Sequence, residues 1–194
     1  MKLYMIRHGQ SEANFAKVHA GWAPFHLTEK GRSEAERIGG ILEGISFDKV
    51  YSSDVLRAVE TQQIAMPEAE CERISLIREI NSGNLIGKSF AECTEKFGES
   101  YTQNRKLFEF AEYEGESYAD FCARLREFLT MMENSGYEKV AVFCHGGVIN
   151  TLLDIITGER LERRYFSCAN CSLSIFEFKK DFWSVKLWNY LGEI

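Results

Sequence analysis

The chain has 194 residues, a length that fills one domain and supplies a core of ordinary size. Apolar residues make up 45% and charged residues 27%, and the formal net charge is -6. That acidic balance excludes a general attraction for nucleic acid or an anionic membrane, so an anionic substrate must meet positive charge concentrated in a pocket.

In chain order, Lys2–Ile6 is apolar and β-compatible and stops at Arg7-His8-Gly9. This opening stretch is too short for a signal peptide, and no apolar run in the chain is long enough to span a bilayer. Glu29–Leu42 has helical spacing, with Ala35, Ile38, Ile41 and Leu42 recurring at threes and fours and Thr28 as N-cap. Phe47–Tyr51 predicts a short strand ending at Ser52-Ser53, Asp54–Met66 a helix stopped by Pro67, and Ile74–Ile77 another short strand. Phe90–Phe110 contains helical fragments. Ser117–Ser135 predicts a helix with Phe121, Leu125, Phe128, Leu129 and Met132 on one stripe. Lys139–Cys144 reads as a strand broken by His145-Gly146-Gly147, and Val148–Thr157 as a helix with Gly158 as C-cap. Ser172–Lys179 and Phe182–Tyr190 predict two closing strands. Trp183 and Trp188 in the last one fit either the core or a homodimer interface.

There is no linker, repeat or low-complexity stretch, so residues 1–194 read as one domain. The alternation of strands and helices predicts a three-layer α/β/α fold with a mixed, mostly parallel central sheet. In such sheets ligands sit at the carboxyl ends of the strands. Two strands, ending near Ile6 and Cys144, are each followed by His-Gly, and a third leads through Ser52-Ser53-Asp54 to Arg57. These three ends can converge.

Phosphoryl transfer to an imidazole needs few parts: a neutral nitrogen for in-line attack, cationic forks for the phosphate oxygens, and a protonated group for the leaving oxygen. His8, with Arg7 and Arg57, supplies the first two, because the planar guanidinium matches phosphate geometry and stays charged. Glu79 follows a strand-like run, and His145-Gly146 follows another. Gly9, Gly146 and Gly147 let backbone N–H groups approach an anion closely.

Arg7-His8-Gly9-Gln10-Ser11-Glu12-Ala13-Asn14 resembles the signature of the histidine phosphatase superfamily, the phosphoglycerate mutase-like family, with Ser11 in place of the usual Thr. The resemblance continues through Ser52–Thr61, Arg78-Glu79-Ile80, Gly115-Glu116-Ser117, Phe143–Val148 and Asn170-Cys171-Ser172, collinear over nearly the whole chain. It implies that His8 is the phosphorylated nucleophile. It implies that Arg7, Arg57 and His145 clamp the phosphate, Asn14 and Ser11 add neutral hydrogen bonds, and Glu79 serves as acid and then base. Gly146 and Asn170 finish the pocket. No metal and no cofactor are implied, and residues 87–117 form a small helical lid.

The sequence departs from the family pattern at Pro24, His26, Leu85 and Ile86, around the substrate mouth. Those positions leave the substrate open. His19 and His26 read as loop residues, Cys144 as a buried strand residue, and Cys168-x-x-Cys171 as ordinary thiols rather than a zinc or redox pair. The six cysteines fit reduced thiols in a cytoplasmic protein. The aromatic group Tyr101, Phe108, Phe110, Tyr113, Tyr118 and Phe121 reads as a mixture of core and lid. The short interval between Gly87 and Glu114 favours a phosphatase acting on a small phosphorylated metabolite, because little material is available to shield a phosphohistidine from water. A cofactor-dependent phosphoglycerate mutase is the alternative. A non-catalytic binding member of the fold is third.

Overall fold

The computed structural model describes residues 1–160 and 166–192. Six strands form one sheet: β1 (Lys2–Arg7), β2 (Lys49–Ser53), β3 (Cys71–Ile74), β4 (Lys139–Cys144), β5 (Leu173–Lys179) and β6 (Phe182–Tyr190), in the order β3-β2-β4-β1-β5-β6. β3, β2, β4 and β1 run parallel, while β5 and β6 are antiparallel to their neighbours. The helices are α1 (Glu12–Ala16), α2 (Glu29–Leu42), α3 (Leu56–Ala65), α4 (Phe90–Lys106), α5 (Tyr118–Glu133) and α6 (Gly146–Thr157).

The period-2 alternation of the central strands sorts the core into two layers. Leu3, Met5, Val140 and Val142 face one way and pack with the Phe121, Leu125, Phe128, Leu129 and Met132 stripe of α5 and with Val148, Ile149 and Leu152 of α6. Tyr4, Ile6, Ala141 and Phe143 face the other way, against Ala35, Ile38 and Leu42 of α2. Helices therefore cover both faces. Trp183 and Trp188 pack against the first of these layers, while Phe182 and Val185 stay exposed on the edge strand. Among the described residues no helix is long and apolar enough to cross a membrane.

α2 and β4 begin and end where the pattern places them, with Thr28 accepting from the Gly31 N–H, and α6 ends at the expected C-cap, Gly158, left-handed at φ 73°. Others differ: β2, expected at Phe47–Tyr51, lies two residues later, and α3 begins at Leu56 rather than Asp54. The strand expected at Ile74–Ile77 lies earlier, at Cys71–Ile74, and Ser75–Ile77 is a 3₁₀ turn. Pairing ends at Ile74 because its partner, Ser53, is the last residue of β2. α6 starts at Gly146 rather than Val148, so the two glycines form its first turn instead of a break. α1, five residues capped by Ser11, is too short for a periodic signal. The stretch expected as helical fragments is α4, interrupted at Gly98 (φ 64°).

Candidate active site

The registers of β1 and β4 set the geometry. Arg7 pairs with Cys144 in a parallel ladder, so the next residues, His8 and His145, leave adjacent strand ends at the same level. Their rings lie 5.2 Å apart, close to the spacing of neighbouring strands. β2 flanks β4 on the other side and delivers Ser53, whose Oγ is 2.9 Å from His145 Nε2. In the first turn of α3, Arg57 places its Nε 3.1 Å from His8 Nε2.

His8 is held in one tautomer. Its Nδ1 lies 2.7 Å from the Gly9 carbonyl, an acceptor only, so Nδ1 carries the proton and Nε2 keeps its lone pair toward Arg57. Burial, then Arg57 and Arg7, push the His8 imidazole well below its ordinary range, so it is neutral. His145 is pushed down in the same way, by burial first and then by Arg57 and His8. The Ser53 Oγ accepts from the Val55 N–H and hydrogen-bonds His145 Nε2; with Ser53 as donor there, the His145 proton sits on Nδ1. That nitrogen is buried without a hydrogen-bond partner.

Arg57 is buried too, only 1% exposed, and burial holds it down to about 10. It donates to the Gly21 carbonyl and to His8, but its Nη1 has no partner. Arg7 donates through Nη1 to the Cys168 carbonyl, and its Nε is likewise buried without a partner. Neither guanidinium makes an ion pair among the described residues. A buried Arg57 and a partly buried Arg7, with free N–H groups and no carboxylate at ion-pair distance among the described residues, face chiefly the more distant charge of Glu79, so an anion that joins them is favoured.

Arg7, His8, Asn14, Arg57 and Glu79 line one cavity of about 210 Å³. The Asn14 Oδ1 accepts from the Ser11 N–H, the Ser11 hydroxyl and Asn170 Nδ2, which leaves its amide N–H₂ as the group available to the cavity. Glu79 is half-buried beside the first turn of α6. Its Oε2 accepts from the Gly147 N–H at 3.1 Å and its Oε1 from the Ile80 N–H at 3.0 Å. A Cβ at Gly147 would lie 2.1 Å from Oε1, so only glycine admits the carboxylate there.

Not every expected site residue reaches the cavity wall. Ser11 is fully buried and its hydroxyl is used in the capping box of α1 with Asn14. Asn170 donates to the His8 carbonyl at 3.0 Å and to Asn14, so it holds the loop from behind. Gly146 packs against the Arg7 guanidinium, where a Cβ would sit 3.2 Å from Nε. His26 is exposed and bonds Glu60 at 2.8 Å. His19 lies in the loop between α1 and α2, as expected, but it is not solvated. It is buried in the cavity wall, with Nε2 2.6 Å from the Tyr101 hydroxyl and its ring edge-on to Phe90 and Phe110. Burial and then Arg105 hold it at about 4.

The outer wall carries Phe90, Phe108, Phe110 and Arg105, whose guanidinium lies 4.0 Å over the Phe90 ring. Tyr113 points into the core instead. The residue patterns gave no role to Ser53, Ser82, Thr61, Arg105 or Arg124. Thr61 Oγ1 accepts from the Gly9 N–H and donates to the Arg57 carbonyl one turn back, an i, i+4 relation on one helix face that the sequence does contain. All six cysteines are free thiols. Among the described residues no cluster of His, Cys, Asp or Glu is arranged to hold a metal ion.

Buried neutral histidines make stability depend on pH. The folded chain excludes protons that the unfolded chain takes up below about 6.5, so acidification favours unfolding and stability rises with pH. At pH 5 each excluded proton costs about 2 kcal/mol relative to pH 7. Denaturant midpoints measured between pH 7 and 5 should fall accordingly, and less steeply in a His145→Gln variant. A flat wild-type profile would contradict neutral burial of His8 and His145.

Comparison with known proteins gives one consistent outcome. The profile of the histidine phosphatase superfamily (branch 1) matches residues 3–191. A broad-specificity phosphatase of Saccharomyces cerevisiae is 30% identical over 192 residues, covering 93% of this chain and 81% of the yeast protein. A 2,3-bisphosphoglycerate-dependent phosphoglycerate mutase of Azorhizobium caulinodans is 33% identical over 172 residues, 82% of each chain. The crystal structure of a putative α-ribazole-5'-P phosphatase from Escherichia coli superposes with a TM-score of 0.88 over 98% of this chain and 97% of that one, at 23% identity, a likeness of fold.

Proposed function

The chain belongs to the histidine phosphatase superfamily, branch 1, and from that premise we propose that it hydrolyses phosphomonoesters of small metabolites through a phosphohistidine on His8. The observation that carries this reading is the pair Arg7 and Arg57, each with a buried guanidinium N–H that has no partner and neither in an ion pair among the described residues, beside a neutral His8 whose Nε2 faces Arg57. An incoming phosphate dianion supplies the missing charge. Its oxygens take the free N–H groups of Arg57 Nη1, Arg7 Nε and His145 Nδ1 and the amide of Asn14.

His8 Nε2 attacks phosphorus in line, the P–O bond to the alcohol breaks, and Glu79 gives the leaving oxygen its proton. The Glu79 carboxylate then takes a proton from water as that water attacks phosphorus. The P–N bond breaks, inorganic phosphate leaves, and His8 and Glu79 return to their starting states. Arg57 Nε releases His8 Nε2 as the phosphate enters and turns its N–H to a phosphate oxygen, so the guanidinium is already beside the reacting atoms and moves little.

Residues 87–117 act as a cover: Phe90, Arg105, Phe108 and Phe110 from this segment wall the outer cavity. The wall suits an alcohol portion with an apolar face. The brevity of this segment favours water over a returning hydroxyl as acceptor. Six free thiols are compatible with a reducing cytoplasm.

Purified protein is expected to hydrolyse p-nitrophenyl phosphate, with EDTA leaving the rate unchanged because guanidinium and imidazole N–H groups supply the charge stabilisation. A rate restored only by added divalent metal would overturn this mechanism. Incubation with 3-phosphoglycerate and 2,3-bisphosphoglycerate tests the mutase alternative directly: 2-phosphoglycerate formed faster than inorganic phosphate would assign transfer rather than hydrolysis.

A further inference from the structure

Arg124, on α5, spends its whole guanidinium on one task. Its five N–H groups make five hydrogen bonds: Nε and Nη2 to the two Glu116 carboxylate oxygens, Nη1 to the carbonyls of Leu76 and Arg78, and Nη2 to the carbonyl of Glu79. Both members of the pair are 15% exposed. Glu116 in turn accepts from the Asn81 N–H at 2.9 Å, and its own N–H donates to the Asn81 carbonyl at 2.8 Å. The chain thus leaves the Glu79 loop at Asn81, runs through the covering segment, and returns to Asn81 at Glu116.

The crossing is tight. A Cβ at Gly83 would lie 2.1 Å from the Tyr113 carbonyl oxygen, and one at Gly115 would lie 2.4 Å from that of Asn81. The two backbones touch at a neck that only glycines permit. Trp22 closes it from the other side by donating to the same Glu79 carbonyl at 2.7 Å.

We infer that Arg124 and Glu116 are positioning residues for Glu79: they fix the backbone of the proton donor to the neck of the covering segment, so that its carboxyl group meets the leaving oxygen. This inference rests on the reading of Glu79 as the acid. Neither residue touches the cavity. Their main effect therefore passes through proton delivery; the charge of Arg124 also reaches His145, an influence on phosphate binding that would act equally on both esters.

Leaving-group chemistry separates these possibilities. The phenolate of p-nitrophenyl phosphate departs without a proton, whereas the alkoxide of glycerol 3-phosphate does not. kcat/KM for both esters is to be measured in wild type, Glu79→Gln, Glu116→Gln, Arg124→Gln and the double variant Glu79→Gln/Arg124→Gln. Glu79→Gln should lose about 10²-fold more on the alkyl ester than on the aryl ester. Glu116→Gln and Arg124→Gln should show the same skew, by about tenfold or more, and the double variant no more skew than Glu79→Gln alone. Should Arg124→Gln fail to fold, Glu116→Gln and Arg124→Lys carry the test, since a single ammonium cannot serve three carbonyls and a carboxylate. Equal losses on both esters in the Glu116 and Arg124 variants, with the skew present in Glu79→Gln, would overturn the inference and leave the acid assignment standing. Absence of skew in Glu79→Gln would overturn the acid assignment and the inference with it.

Discussion

His8→Ala is expected to lower phosphomonoester turnover on the order of 10⁵-fold, since removal of a nucleophile that works as a unit with its neighbours abolishes the covalent route. The alanine leaves Arg7, Arg57 and His145 able to bind phosphate, so affinity for inorganic phosphate should persist while chemistry stops. The check is twofold. Quenched wild-type reactions should carry a base-stable, acid-labile phosphoryl group on the protein, and the variant should carry none. Wild-type turnover in His8→Ala would dispose of the phosphohistidine mechanism. The neutral state of His8 makes the step available at ordinary pH, because a protonated imidazole has no lone pair to offer.

Arg57→Met should lower kcat/KM by about 10³-fold or more, the range lost when a guanidinium is withdrawn from a transferring phosphoryl group. Its effect on stability should have the opposite sign. Arg57 is the largest fully buried side chain, its Nη1 has no partner, and it pairs with no carboxylate among the described residues. Removing the desolvation penalty of the buried charge offsets the loss of its hydrogen bonds to the Gly21 carbonyl and His8, so an apolar side chain of similar length should leave stability unchanged or slightly raised. Thermal melts in phosphate-free buffer should therefore place Arg57→Met at or above wild type. Inorganic phosphate should raise the wild-type transition and leave the variant's nearly unmoved. A variant that is both inactive and markedly less stable would show that Arg57 holds the fold together rather than awaiting an anion.

Much of this was legible in the residue pattern, for physical reasons. α2, β4 and β6 have the expected bounds because their periodicity runs long enough to outweigh single residues, and Thr28 marks the start of α2 as Gly158 marks the end of α6. The convergence of His8, Arg57 and His145 follows from a parallel sheet with loops at one end, which alternation alone implies. Other features depend on packing between segments far apart. His19 is buried only because Phe90, Tyr101 and Phe110 close around it. Arg124 looks like any helix-surface cation until Leu76, Arg78 and Glu79, more than forty residues earlier, are seen against it. Ser11 shows a different limit. A hydroxyl beside a histidine loop can bond a ligand or cap a helix, and the choice rests on α1, which is too short to announce itself.

The place of β1 in the sheet has a consequence for how the molecule comes into being. β1 is first in chain order yet lies in the interior, with Leu3 opposite Val140 on one side and Phe176 on the other. While the chain grows on the ribosome, this apolar strand has no partner until residues 139–144 have emerged, and its second edge waits for 173–179. Such long-range closure is slow and leaves an aggregation-prone edge open in the interval. It also means that His8 and His145 cannot meet until about three-quarters of the chain has been made, because the β1–β4 register that aligns them needs residues 139–144.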